Sequence, residues 1–172
     1  MIVKEEFEHF VVDLARVAKV TEGGKTLRIR AAVVIGDRQG KVGFGIGKGY
    51  DTADAVKKAI SEAKKNLIKV PIINGTVPFE IKAKFKSAIV LIKPAKPGKG
   101  LVAGSVIRSI LYLAGYSDVS AKILGVTKNS LVNALAGIKA LEKLSKSYEN
   151  KLKLKEQLTS KKKNDSDSSN WF

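Results

Sequence analysis

The stretch Lys41-Val42-Gly43-Phe44-Gly45-Ile46-Gly47-Lys48-Gly49 places a glycine at every second position. Successive side chains of a strand point to opposite faces, so such a strand has one bare face and one face filled by Val42, Phe44 and Ile46. Glycine inside a strand weakens it and often marks the close approach of another backbone or of a ligand. The stretch therefore predicts a strand whose bare face is covered closely, either by a bound polymer or by another part of the protein.

Two strands and a helix around this strand complete the first part of the chain, residues 1–70. Residues 10–20 and 27–35 are rich in apolar and β-branched residues, and each run is followed by a glycine-containing turn. After the glycine strand, Asp51 or Thr52 can cap a helix. The apolar stripe of this helix is predicted to comprise Val56, Ile60, Ala63 and Leu67. The order β-β-β-α predicts a small α+β domain.

The second part, residues 71–145, predicts elements in the order β-β-α-β-α. Alternation at residues 79–85 indicates a half-buried strand, and the apolar run 88–92 indicates a central one. The remaining elements are a helix over 105–115, a strand over 119–125 and a helix over 130–144. The fold class is thus α+β or α/β, with two small domains whose separate cores would each be marginal. Residues 146–172 are predicted to form a basic tail, roughly the last 13 residues of which are expected to be disordered.

Charge is the most informative property of the composition. The chain of 172 residues carries 32 Lys and Arg against 16 Asp and Glu, a formal net charge of +16. A polyanion would relieve the repulsion that folding creates, so this excess indicates nucleic acid or an anionic membrane as the partner. The sequence shows no helix with the bulky apolar face and flanking Trp that membrane-surface binding needs, no apolar run of ~20 residues, and no signal peptide. The residues therefore favour an RNA-binding protein of the cytoplasm.

The composition also lacks the parts of most enzyme sites. The sequence contains no Cys, so thiolate zinc sites and Cys nucleophiles are excluded, and with His9 as its single His it offers few parts for metal sites and His-based triads. The glycine stretch is not a Walker A loop, because three residues separate Gly43 from Gly47 and Lys48 is followed by Gly49 rather than Ser or Thr. The sequence predicts a protein that is not an enzyme and has no cofactor and no metal.

Four cation-rich features are candidates for phosphate contact. The Gly23-Gly24 turn, flanked by cations, would suit insertion between RNA helices, with an ordinary solvated hairpin as the alternative. Gly47-Lys48-Gly49 and the Pro/Gly/Lys loop of residues 93–104 each precede a helix N-terminus, which favours phosphate; the alternative for the loop is a flexible surface. The strand face of Lys82, Lys84 and Lys86 fits RNA contact and a protective charged edge equally well.

The predicted RNA-binding set combines these features with neighbouring lysines. It comprises Arg16, Lys19, Gly23, Gly24, Lys25, Arg28, Arg30, Lys41, Gly45, Gly47, Lys48, Lys57, Lys96 and Lys99.

Motifs in both halves resemble a known family. They include Arg16-Val17-Ala18-Lys19, Gly23-Gly24-Lys25, Gly36-Asp37, the glycine stretch, Asn74-Gly75-Thr76, Gly98-Lys99-Gly100-Leu101-Val102-Ala103-Gly104, Leu113-Ala114-Gly115 and Lys122-Ile123-Leu124-Gly125. In this order, over residues 7–144, the chain resembles the bacterial small-subunit ribosomal protein S5 family.

The resemblance implies properties that composition and spacing do not show. The first half would be a double-stranded-RNA-binding-like domain, and the second an α/β domain with a left-handed βαβ unit. The protein would bind small-subunit rRNA, support subunit assembly and translational accuracy near the mRNA entry path, and contact ribosomal proteins S4 and S8. The segment with Gly98, Gly100, Gly104 and Arg108 would face S4. The loop of residues 20–26, from Val20 to Thr26, would correspond to the loop whose changes give spectinomycin resistance.

Three departures from the family pattern affect these expectations. Glu22 stands where the family usually has a basic residue, which weakens phosphate contact by that loop. Gly49-Tyr50-Asp51 replaces a stretch that often carries an extra cation, and Leu27 and Ile29 replace frequent Phe residues. The alternative function is a free-standing double-stranded-RNA-binding regulator, which would use the first domain and give no role to the second.

Overall fold

The first sheet is antiparallel and has four strands in the order β1-β2-β3-β4. A computed structural model describes residues 7–167, with side chains described as far as residue 154. Strands β1 (Glu8–Thr21), β2 (Gly24–Gly36) and β3 (Lys41–Gly49) precede helix α1 (Thr52–Lys65) and the short strand β4 (Leu67–Lys69). The three predicted strands and the helix are confirmed, whereas β4 was not predicted.

Helix α1 packs directly on the glycines of β3. Three of these glycines lie opposite three fully buried alanines spaced four residues apart along the helix. The pairs are Gly43 with Ala63, Gly45 with Ala59, and Gly47 with Ala55. A β-carbon on any of these glycines would collide with the carbonyl oxygen of its alanine. Of the two possible covers for the bare face, the structure therefore shows the protein's own helix.

The buried stripe of α1 differs from the prediction. Its fully buried residues are Ala55, Ala59 and Ala63. Of the other residues predicted for the stripe, Val56 and Ile60 are only partly buried and Leu67 lies in β4. Large side chains were expected to face inward. Because β3 presents only glycines to α1, the backbones of β3 and α1 lie so close that only the methyl groups of alanine fit between them.

The second sheet has the strand order β5-β6-β8-β7. Its strands are β5 (Ile81–Phe85), β6 (Ala88–Pro94), β7 (Leu101–Val102) and β8 (Val119–Ile123). Strands β7 and β8 are parallel and joined by helix α2 (Ser105–Ala114), and the other pairs are antiparallel. The predicted order is confirmed, with β7 as an additional strand inside the segment predicted to be a loop. The left-handed sense of the β7-α2-β8 unit stays a prediction.

The last helix, α3 (Ser130–Asp167), is longer than predicted. The sequence predicted that this helix ends at residue 144 and that residues 146–172 form a tail. The structure shows helix through residues 146–167, so the prediction is wrong for that part of the tail. No Gly or Pro follows Gly137, so the sequence contains no strong signal that would end the helix. Disorder was expected for the final residues, but the helix continues as far as Asp167. Residues 168–172, with Trp171 and Phe172, lie outside the described residues.

The two halves of the chain share one hydrophobic core. Ala32, Val34, Val42 and Phe44 of the first sheet belong to the same buried cluster as residues of the second sheet, α2 and α3. These four side chains lie on the face of the sheet opposite α1. The larger core is therefore common to residues 1–70 and 71–145 rather than divided between them, while a smaller buried cluster between the first sheet and α1 belongs to the first half alone.

Backbone hydrogen bonds fix how the halves meet. In the turn between β2 and β3, the Arg38 N–H donates to the Leu113 carbonyl and the Gly40 N–H donates to the Ala114 carbonyl, each over 3.0 Å. These carbonyls belong to the last turn of α2, where a helix has acceptors without intrahelical partners. The turn of the first sheet thus satisfies the end of a helix in the second half.

The first prediction tests the packing of α1 on β3. Gly45→Ala places a methyl group against the α1 backbone, and overpacking of this kind costs about 1–3 kcal/mol of unfolding free energy. Gly23→Ala is the matched control, because a β-carbon there meets no atom within 4 Å. Urea unfolding followed by circular dichroism should show a lower midpoint for Gly45→Ala alone. Equal midpoints for the two variants would contradict the packing.

The second prediction concerns alkaline pH. The Tyr116 hydroxyl donates to the Pro71 carbonyl over 2.9 Å, and burial raises the pKa of Tyr116 above its ordinary value of about 10. Above pH 10 the unfolded chain loses this proton while the folded chain keeps it, so the free energy of unfolding falls as pH rises. Between pH 10 and 11, wild type should lose about 1 kcal/mol more than Tyr116→Phe does.

Urea titrations at pH 8, 10 and 11 would measure this difference. Tyr50→Phe is the matched control, because it removes a tyrosine hydroxyl that lies on the surface rather than in the core. The same pH dependence in wild type and Tyr116→Phe would show that Tyr116 ionises as readily in the folded protein as in the unfolded chain.

Candidate nucleic-acid interface

The β1–β2 hairpin extends beyond the core as an exposed arm, which we define as residues 18–28. Every residue of the arm is exposed, including the apolar Val20 and Leu27. β-Carbons added at Gly23 and Gly24, at its tip, would meet no atom within 4 Å. Gly24 has a φ of +129°, which glycine adopts without strain. The structure therefore contains the protruding, cation-flanked tip that the sequence predicted.

The predicted cations of the first half lie on two faces. Strand pairing and alternation place Lys19, Arg28, Arg30 and Lys48 on the face that continues from the shared core. The same alternation places Arg16 and Lys25 on the α1 side of the sheet, where Lys57 is exposed on α1 itself. The arm can therefore meet anionic groups from both sides.

Arg30 differs from the other cations because it is already paired. Its guanidinium donates to the Asp13 carboxylate over 2.9 Å, and both side chains are partly buried, each 29% exposed. Its Nε is buried without a hydrogen-bond partner. Most of the Arg30 charge is neutralised within the sheet, so the structure does not support Arg30 as a phosphate ligand.

The glycine stretch contributes less than predicted. Gly45 and Gly47 are buried beneath α1, which covers their bare face, so the structure does not support them as RNA contacts. The N-terminus of α1 is capped by Asp51, whose carboxylate accepts from the Thr52 N–H over 2.7 Å, and this acidic cap disfavours phosphate. Lys48 is exposed, whereas Lys41 lies at the opposite end of β3, about 23 Å away along the strand.

The loop between β6 and β7 presents Lys96 and Lys99 to solvent. Part of its backbone is already occupied, because the Gly100 N–H donates to the Asp118 carboxylate over 2.7 Å and the Lys99 N–H donates to the Lys96 carbonyl over 3.2 Å. Helix α2 starts after Gly104 without a side-chain cap. The loop therefore offers two lysines and an uncapped helix start, with fewer free amides than the sequence suggested.

A partly apolar cleft of about 370 Å³ lies where the start of β1 meets β7 and α2. Phe10 and Tyr112, each 47% exposed, line it together with Leu101 and Arg108. Of the residues predicted to face a neighbouring protein, Arg108 lines this cleft, while Gly98, Gly100 and Gly104 lie in the segment leading to it. The cleft and the arm lie at opposite ends of β1, and Phe10 of the cleft is about 30 Å along the strand from Lys19 of the arm.

The chain matches two family models, described as "Ribosomal protein S5, N-terminal domain" over residues 7–71 and "Ribosomal protein S5, C-terminal domain" over residues 83–154. It is 46% identical over 140 residues to the small ribosomal subunit protein uS5 of Thermotoga neapolitana, and 45% identical to that of Thermotoga maritima. Each alignment covers 81% of this chain and 78% of the relative. The chain belongs to the ribosomal protein S5 family.

Membership in the S5 family confirms the resemblance read from the sequence. The family is structural, so the chain is a structural ribosomal protein of the small-subunit class and not an enzyme. Its place is the ribosome, in the cytoplasm. The second match reaches residue 154 and so includes the part of α3 that the sequence prediction had assigned to the tail. Between residues 7 and 167, no helix is both long and apolar enough to cross a membrane.

This S5-family chain has a second cationic surface, of which the sequence predicted only the lysines on β5. Lys82 and Lys84 of β5 face a groove of about 710 Å³ whose other wall is α3. The wall carries Lys139, Lys143 and Lys146, which the prediction missed. Their spacing of four and then three residues was the available signal, since it places them on one face of the predicted helix. Lys86 does not belong to this face, because it lies in the β5–β6 turn with a φ of +51°.

Proposed function

We propose that the protein binds small-subunit rRNA through the hairpin arm and the adjoining end of β3. The observation that carries this proposal is the arm itself, which projects beyond the core and bears Lys19, Lys25 and Arg28 on its two faces. An isolated two-stranded hairpin is only marginally stable in water, so an arm of this kind gains most from a partner that holds it. RNA phosphates on both sides of the arm would provide such a partner and would relieve the net charge of +16.

Exposed lysines beside the arm extend this surface. Lys48 continues the core-side face and Lys57 the α1 side, and both are exposed. Arg16 lies at the base of the arm on the α1 side. Lys96 and Lys99 lie in the β6–β7 loop of the other half, so they would contact a different segment of the rRNA. A protein that holds separate RNA segments in this way would support subunit assembly.

The apolar cleft fits a protein partner better than RNA. Exposed aromatic side chains with an arginine beside them are typical of protein interfaces, and Phe10, Tyr112 and Arg108 form such a group. On the resemblance we assign this surface to ribosomal protein S4. Contact with S8, proximity to the mRNA entry path, a role in translational accuracy, and proximity of the Val20 to Thr26 loop to the spectinomycin site rest on the resemblance alone.

A free-standing double-stranded-RNA-binding regulator is the alternative. It would leave the cleft at α2 and the groove beside α3 without a role. Gradient sedimentation of the tagged protein from lysate separates the two functions. Co-sedimentation with small subunits at low salt, lost at high salt, supports the ribosomal function, whereas protein bound to mixed RNAs and absent from the subunit peak supports the regulator.

The third prediction is that phosphate contacts by the arm dominate rRNA affinity. Lys25→Gln should reduce the slope of log affinity against log salt by about one and weaken binding similarly for different RNA sequences. Fluorescence anisotropy with a labelled small-subunit rRNA fragment at several salt concentrations would measure it. Lys128→Gln, an exposed lysine between β8 and α3, is the matched control and should leave the slope unchanged. A salt-independent affinity in the wild type would exclude phosphate-dominated binding.

The fourth prediction concerns the cleft. Phe10→Ser should weaken association with S4 on a shared rRNA fragment by more than about fivefold, since a central apolar contact is worth over 1 kcal/mol. Its effect on rRNA affinity in the absence of S4 should be small, because Phe10 lies far from the arm. Leu14→Ser is the matched control, since Leu14 is equally exposed on the same strand, at 51%, but does not line the cleft. Equal losses in the two variants would argue against the cleft as the S4 surface.

A further inference from the structure

Tyr50 is an exposed aromatic residue that the shared core does not explain. It follows β3 directly and is 72% exposed. The Arg28 guanidinium carbon lies 4.9 Å from the centroid of its ring, and the Arg28 Nη2 donates to its hydroxyl over 3.3 Å. The two contacts hold the ring beside the base of the arm. With this much of the side chain exposed, the ring face turned away from Arg28 is open to solvent.

The surroundings of Tyr50 have room for a ligand and the charge to bind an anionic one. Tyr50 and Arg28 line a cleft of about 460 Å³ on the core-side face of the hairpin, a volume within the usual range of small-ligand sites. Lys19 and Lys48 contribute two further cations to its lining. The other lining side chains are short, so they leave the space between the cations open. They are Val17, Ala18, Thr21 and Thr26.

We propose that this cleft binds one unpaired nucleotide of the RNA, with its base stacked on the Tyr50 ring and its phosphates near Lys19 and Lys48. This proposal rests on the proposed RNA binding and names the part of the RNA that the core-side face of the hairpin binds. Aromatic side chains bind bases by stacking when the base is outside a helix, whereas a duplex hides the faces of its bases. The cleft therefore selects a bulge, a loop or a strand end. Arg28 holds the Tyr50 ring in position and also adds positive charge to the cleft.

The competing explanation is that the Arg28–Tyr50 pair only stiffens the arm. Both explanations predict that removal of Tyr50 affects the protein, but they differ in which RNA is affected. Loss of a stacking platform weakens binding of RNA that has an unpaired nucleotide and spares the paired equivalent. Loss of stiffness weakens both RNAs alike, because the whole arm presents its cations less well.

The test uses the full chain and two RNA hairpins that differ by one unpaired nucleotide, with 2-aminopurine at that position for a parallel fluorescence measurement. Tyr50→Ala should lose about 5- to 150-fold in affinity for the bulged RNA and little for the paired RNA, with an unchanged salt slope. Tyr50→Phe keeps the ring and should bind within about twofold of wild type. Quenching of 2-aminopurine on binding should occur with wild type and Tyr50→Phe and be absent with Tyr50→Ala.

Two further variants separate this inference from the proposed function. Lys48→Gln should lower the salt slope by about one on both RNAs, since it removes a phosphate contact. Phe79→Leu removes another aromatic ring that lies under a cation, the Lys151 Nζ at 4.1 Å from the ring centroid. Phe79 lies in the second half of the chain, outside the proposed surfaces, so this change should alter neither affinity.

The possible failures are distinguishable. In the first, binding depends on salt while Tyr50→Ala binds the bulged RNA as tightly as wild type does, or loses the same affinity for both RNAs. Either result overturns the stacking site and leaves the proposed rRNA binding intact. A wild-type affinity for both RNAs that does not depend on salt overturns the proposed function itself.

Discussion

The backbone-to-backbone packing of α1 on β3 is the contact on which the rest of the structure depends. Because β3 carries glycine on the α1 face, its large side chains, Val42 and Phe44 among them, all lie on the other face. That face cannot be left to solvent, and it forms a common core with the second sheet, α2 and α3. One glycine pattern therefore closes the first sheet against its helix and at the same time requires the second half of the chain.

The common core in turn determines where the functional surfaces lie. The β2–β3 turn is hydrogen-bonded to the end of α2, so the start of β1 meets α2 and β7 at that end of the molecule. The other end of β1 has no second half to pack on and becomes the exposed arm. A surface with the aromatic residues typical of protein interfaces and a cationic surface are thus held about 30 Å apart by one long strand. This separation suits a protein that joins RNA to a protein neighbour.

The order of the longer strands and the helices was predictable because local signals decide it: glycine turns, alternation at 81–85, and apolar periodicity in α2. The short strands β4 and β7 carry no such signal and were not predicted. Relations between distant segments were not predictable. The cover of the glycine face, the pairing of Arg30 with Asp13 and the contribution of Lys139, Lys143 and Lys146 to a groove with β5 all depend on tertiary contacts that spacing along the chain cannot show. The end of α3 was misplaced for a different reason, since polar composition was taken as a sign of disorder although no residue there breaks a helix.

The arm also shows why two arginines two residues apart on one strand have different partners. Arg30 lies where the sheet is still covered, so its charge must be compensated, and Asp13 on the neighbouring strand supplies the carboxylate. Arg28 lies beyond the covered part, where water solvates the guanidinium and no carboxylate is needed. It contacts Tyr50 instead, which leaves its full positive charge available to an anion. The boundary between cations that are paired within the sheet and cations that are free to meet an anion therefore follows the edge of the core, and it falls between these two residues.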